Sequence, residues 1–170
     1  MRVDRYDAHV SAGINHNAYQ PQYAFDLDED DPLYRFTTHL EIVGTCTYPE
    51  VRAGDEYLVT IYGEDAPSMG MDRTLKSTQA RDEHHAPVYR TYRGKRVPVF
   101  IVPKGMGLLE KIRGQARWTA WQHAAPRFVS DALVVLAQRR QVYVAIHERR
   151  EQRSRWVQSL SVQTTDPAEE

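Results

Sequence analysis

Aromatic and arginine side chains are interleaved through the second half of the chain. Tyr89 and Tyr92 stand just before Arg93, Lys95 and Arg96. Arg117, Trp118 and Trp121 follow in one short apolar stretch. Arg149, Arg150, Arg153 and Arg155 lie within seven residues, with Trp156 next to them. This pairing of residue types suits one chemistry above others. Unpaired bases expose π-faces, and each base stacked on an aromatic ring is worth about 1–3 kcal/mol. Phosphates beside them need a basic groove. Arginine meets phosphate with a planar, two-pronged donor set. These thirteen residues are the candidate nucleic-acid-binding set.

Other chemistries find less support. The seven histidines include His84-His85 after Asp82-Glu83, and His9 after Asp7. No spacing matches a helical His-x-x-x-His site or a three-ligand zinc constellation. No metal and no cofactor are expected. No serine sits in an elbow or triad-like context. Gly105-Met106-Gly107 lacks the Lys and Ser/Thr of a phosphate loop. The carboxylates of Asp28 to Asp31 form a solvated run. Cys46 falls on the apolar parity of a strand and reads as core. The chain therefore does not read as an enzyme.

Charge is distributed unevenly. Residues 1–89 carry 7 Lys and Arg against 16 Asp and Glu. Residues 90–160 carry 15 against 4, and almost all of those bases are arginine. The last ten residues hold three acids and no base. The formal net charge of −1 hides this asymmetry, which suits a polyanion partner or a self-complementary surface.

A length of 170 residues suits one domain. Mean hydropathy is −0.62, and no apolar run approaches the ~18 residues of a membrane span. No apolar segment opens the chain, and there is one cysteine, so a cytoplasmic location is expected. Residues 1–34 read as an acidic, weakly ordered arm, and 164–170 as an acidic tail. A single domain over 35–163 lies between them. Alternation predicts strands over 36–48 and 56–63, with Gly44 marking a bulge. Polar residues 64–87 are rich in breakers, with a short helix expected over 74–85. A hairpin is expected over 88–102, turning at Arg93-Gly94-Lys95. A single helical turn is expected over 108–113, and a strand over 115–123. Pro126 opens a helix over 127–139, whose apolar stripe is Phe128, Ala132, Leu133, Val135 and Leu136. Arg139-Arg140 would close it, complementing the dipole. Strands at 141–149 and 155–163 complete the pattern.

This order predicts a mainly β domain: an OB-like five-stranded barrel with one helix between the third and fourth strands and a long insertion at 64–113. The alternative is a β sandwich with one helix. The chain resembles bacterial single-stranded DNA-binding proteins. The matching pieces are Leu40-Glu41-Ile42-Val43-Gly44, then Pro49-Glu50-Val51-Arg52, then Tyr57 to Tyr62. Trp118 and Trp121 precede the helix, and Gln141-Val142-Tyr143-Val144 follows it. A basic hairpin from His147 to Trp156 and an acidic tail complete the likeness. The insertion has no counterpart in that family, and the tail is shorter and lacks its apolar tip. The resemblance implies an OB fold that binds single strands, DNA rather than RNA, and assembles as a homo-oligomer. A protein–protein adaptor using the insertion and the acidic arm is the competing expectation.

Overall fold

The structure is a computed structural model that describes residues 1–14, 34–63, 78–101, 106–111, 114, 116–151 and 154–167. Seven strands form one mainly antiparallel sheet. They are β1 (Arg2–Ile14), β2 (Tyr34–Thr45), β3 (Glu56–Gly63), β8 (Gly107–Lys111), β9 (Arg117–Ala124), β10 (Tyr143–Glu151) and β11 (Ser154–Gln163). They bond in the order β1-β10-β11-β8-β9-β3-β2, and β1 returns to pair with β2, closing the ring. β3 and β9 run parallel. Two short ladders stand apart: β4 (Thr78–Gln79) with β7 (Phe100–Ile101), and β5 (Tyr89–Tyr92) with β6 (Lys95–Pro98). Among the described residues there is one α-helix, α1 (Pro126–Leu136), between β9 and β10. Among the described residues no helix is long and apolar enough to cross a membrane.

Alternation explains the sheet. Leu40 and Ile42 of β2, Val59 and Ile61 of β3, and Val144 of β10 are fully buried on the inner face. Their strand neighbours point outward. Helix α1 starts with Pro at its first turn, where a missing N–H costs nothing. It buries Val129, Ala132 and Leu136, spaced three and four apart, against the same core. Gly44 is required where β2 meets β1, since a Cβ there would collide with the carbonyl of Arg2. The irregularity lies opposite it, between Val3 and Arg5 of β1.

The structure departs from the expected fold in its strand number, in three segments and at the end of its helix. It has seven strands, not five. Residues 2–14, expected to be part of a loose arm, form β1; residues 15–33 lie outside the described set. β1 pairs with β2 along its length, yet from Asp4 to Ala12 it is exposed on both faces. A strand wet on both sides shows no apolar alternation, so the sequence hides it. A helical turn is expected over 108–113, but residues 108–111 belong to β8, between β11 and β9. Over 78–85 there is no helix, only β4, an isolated Arg81–Pro87 bridge and turns; residues 64–77 lie outside the described set. Helix α1 ends at Leu136, so Arg139-Arg140 lie beyond it and no base sits in its last turn. The tail is described as far as Pro167.

Candidate nucleic-acid interface

The β5–β6 hairpin turns on Arg93 and Gly94, both at positive φ (49° and 74°). That is the two-residue turn whose twist suits a hairpin, and Gly94 adopts it without steric cost. Pairing places Tyr92 opposite Lys95 and Thr91 opposite Arg96. The Arg96 guanidinium lies 4.1 Å over the Tyr89 ring, and Arg93 5.5 Å over Tyr92. Both tyrosines are more than a third exposed. No acidic residue occurs between Glu83 and Glu110. Five of the sequence-predicted residues, Tyr89, Tyr92, Arg93, Lys95 and Arg96, therefore meet here as an exposed basic, aromatic cluster. A concavity of about 720 Å³ borders it, walled also by Val97, Pro98 and Phe100.

The rest of the predicted set is divided. Trp156 is 1 % exposed and part of the core, and Trp118 is buried at 7 %. Neither presents a face to a base. Trp118 is instead the centre of a charged cluster. It stacks on Tyr57 at 5.9 Å, and its indole N–H donates to Asp55 at 2.8 Å. Arg52, Arg155 and Lys111 lie 4.6, 5.2 and 5.3 Å from its ring, the geometry of cation–π attraction. Arg52 and Arg155 both donate to Glu148 Oε1, at 2.7 and 2.6 Å. The Arg150 side chain reaches that oxygen at 4.0 Å and is otherwise exposed. Arg117 pairs with Glu56 at 3.0 Å. Arg149 is half-buried opposite Trp156. Arg153 lies outside the described residues. Arg155 and Arg117 are thus neutralised within the fold, because Glu148 and Glu56 stand beside them.

Ionisation follows the same geometry. The Glu148 hydrogen bond raises the Arg52 guanidinium further above its ordinary value. The Trp118 N–H, then Lys111, hold the Asp55 carboxyl below the usual range. Burial pushes the Tyr57 phenol and the Cys46 thiol up.

Trp121 belongs to a feature the sequence reading did not assemble. His9 of β1 faces His39 of β2, His39 faces Tyr62 of β3, and Tyr62 faces His123 of β9. The ring centroids step 5.1, 6.4 and 5.4 Å across four adjacent strands. Trp121 meets His123 edge-on at 5.3 Å. The row lies on the outer face, opposite buried Leu40 and Ile61. Asp7 and Glu41, directly paired, stand beside its β1–β2 end. That end of the row is acidic, and the β3–β9 half carries Tyr62, His123 and Trp121. Single histidines scattered over distant segments carry no local signal; only the register joins them. Among the described residues no group of three or more His, Cys, Asp or Glu could hold a metal ion. Compared with known proteins, the chain matches no family model, no curated protein and no solved structure.

Proposed function

We propose that this protein binds single-stranded nucleic acid without catalysing a reaction on it. The observation that carries the reading is the ring row ending in Tyr62, His123 and Trp121. It lays rings across neighbouring strands, with Tyr62 exposed and His123 and Trp121 half-buried beside it. The β5–β6 hairpin supplies the cations that a phosphate backbone requires. In this reading the seven-stranded sheet is an OB-like platform enlarged by β1 and β8. Rings select unpaired bases because a duplex hides their faces.

Fluorescence anisotropy with single- and double-stranded oligonucleotides at two salt concentrations tests it. The expected result is preference for the single strand, with affinity falling steeply with salt. Tyr62→Ala combined with Trp121→Ala should weaken that binding at least tenfold, since each stack contributes about 1–3 kcal/mol. Equal binding of duplex, or an unchanged double variant, overturns the reading. Binding of a protein partner with little response to salt would favour the adaptor instead.

A further inference from the structure

The turn between α1 and β10 meets the start of β1 around a concavity of about 570 Å³. It shares no residue with the ring row or the β5–β6 hairpin. Backbone and amide hydrogen bonds hold its two sides together. The Val3 N–H donates to the Val142 carbonyl at 2.8 Å, and the Gln141 side-chain amide donates to the Val3 carbonyl at 3.1 Å. Buried Leu136 and Val142 line it from the core side.

Arg5, Arg139 and Arg140 stand around this concavity, all exposed. None of the three guanidiniums has an ion-pair or hydrogen-bond partner among the described residues. Asp4 is the one acid in the lining, and both its oxygens are engaged. Arg2 lies 3.5 Å from one, and Thr45 donates to the other at 2.7 Å. The arginine pair does not serve the helix end either. α1 stops at Leu136, and its Leu133 and Val135 carbonyls accept from the Ala137 and Gln138 N–H groups. Three like charges around one hollow repel one another, and an anion relieves that repulsion.

The surroundings narrow the anion. Arg5, Asp7 and His9 alternate onto one face of β1, and Asp7 pairs with Glu41 between the other two. A strand laid on the ring row therefore meets carboxylates before it reaches Arg5, so its diester backbone does not run on into this hollow. We propose that the concavity binds a terminal phosphate, which carries about two negative charges near pH 7. A phosphodiester carries one, so each guanidinium attracts the terminal group about twice as strongly. The planar arginine fork matches its oxygens in pairs. Tyr6 and Gln138, both exposed in the wall, add neutral donors. Two sources carry this group: a free small phosphate compound and the phosphorylated end of a strand.

The test titrates pyrophosphate, dimethyl phosphate and acetate into the ¹⁵N-labelled full chain at constant ionic strength. Pyrophosphate should shift the amides of Arg5, Arg139 and Gln141 along a saturable curve. Amides of Tyr89 and Arg96 report the β5–β6 cluster separately. Dimethyl phosphate and acetate, each a monoanion, should bind at the first set about tenfold more weakly, as befits a lost charge-assisted contact. Arg139→Ala with Arg140→Ala should weaken pyrophosphate by a similar factor or more, with circular dichroism unchanged because both positions are exposed. Unmoved amides, equal binding of dimethyl phosphate, or full affinity in the double variant overturns the proposal. The ligand-side comparison needs no variant to fold.

Displacement of pyrophosphate then separates the sources, using oligothymidylate with a 5′ phosphate and its 5′-hydroxyl twin. Displacement by the phosphorylated strand alone identifies a strand end as the occupant; displacement by neither identifies a free phosphate compound. Equal displacement by both means that diester backbone fills the site, and overturns the proposal. The strand comparison rests on the proposed single-strand binding, whereas the pyrophosphate titration does not. Tyr62→Ala with Trp121→Ala should leave pyrophosphate binding unchanged, so this site and the strand-binding face fail independently.

Discussion

Two hairpins of this molecule share a composition and differ in fate. β5–β6 and β10–β11 each combine several arginines with aromatic side chains. In β5–β6 the tyrosines are exposed, and no carboxylate belongs to the hairpin. In β10–β11 the tryptophan is core, and Glu148 takes hydrogen bonds from Arg155 and from Arg52 in the loop between β2 and β3. The difference lies in what stands opposite. β11 pairs with β8 on one side and β10 on the other, so one of its faces is committed to the interior. β5–β6 is a two-stranded ladder that pairs with no third strand among the described residues. Composition alone does not separate an exposed cluster from an internal neutralised one; the number of covering strands does.

The sharpest test of the contrast is stability. Trp156→Ala removes a fully buried indole and should cost about 3–5 kcal/mol, enough to unfold a marginal domain. Tyr89→Ala and Tyr92→Ala should stay within about 0.5 kcal/mol of the wild type. Urea denaturation followed by circular dichroism compares them. A costly Tyr89→Ala would mean that the hairpin, too, is structural.

Next comes the carboxylate between the arginines. Glu148→Ala strands two guanidiniums whose side chains are 14 % and 23 % exposed. Removing one partner of a largely buried ion pair is more damaging than removing both. A loss of about 2 kcal/mol is expected, less than for a fully buried pair because the cluster is partly wet. Glu148→Ala with Arg155→Ala should cost less than the sum of the single changes. A strictly additive cycle, read from denaturation midpoints, breaks the coupling.

The third contrast concerns salt. Each phosphate contact on a single strand adds about 0.7 to the slope of log affinity against log salt. Arg93→Ala with Arg96→Ala should therefore flatten that slope by about 1.4. Arg155→Ala should leave it unchanged, since its guanidinium is bound to Glu148. Reversal of this ranking would move the grip from β5–β6 to β10–β11.

Much of the frame is legible in the sequence wherever one face of an element is dry. β3 is found at its expected limits, 56–63, because Tyr57, Val59 and Ile61 alternate cleanly. β9, α1 and the last two strands are found within a few residues for the same reason. β1 and β8 are not, since exposed residues from Asp4 to Ala12 carry no alternation and β8 is five residues long with two exposed. The candidate interface is legible in the β5–β6 hairpin, where chemistry and turn signal are local. It is hidden in the ring row, whose members are brought together only by register. Trp118 and Trp156 mislead because the strand parity that buries a tryptophan looks the same as the one that displays it.

The smallest expected effect concerns Asp55, which fixes Trp118 in its cluster. Its carboxylate accepts the indole N–H at 2.8 Å and lies 3.4 Å from the Lys111 ammonium. Both partners favour the charged form, so its pKa is lowered in the fold. A group lowered in this way contributes stability that is complete above the unfolded-chain value, near 3.9. The contribution shrinks as pH falls below that value and is gone below the folded one. Asp55→Asn keeps an acceptor for the indole but loses the charge. Wild type should therefore exceed the variant by a constant margin between pH 5 and 7, about neutrality where neither aspartate state titrates. Below about pH 4 the two melting temperatures should converge. Thermal melts at low ionic strength from neutral to strongly acidic pH measure the margin. A gap that widens on acidification would mean that Asp55 is destabilised as a carboxylate, and that Lys111 and Trp118 do not hold it.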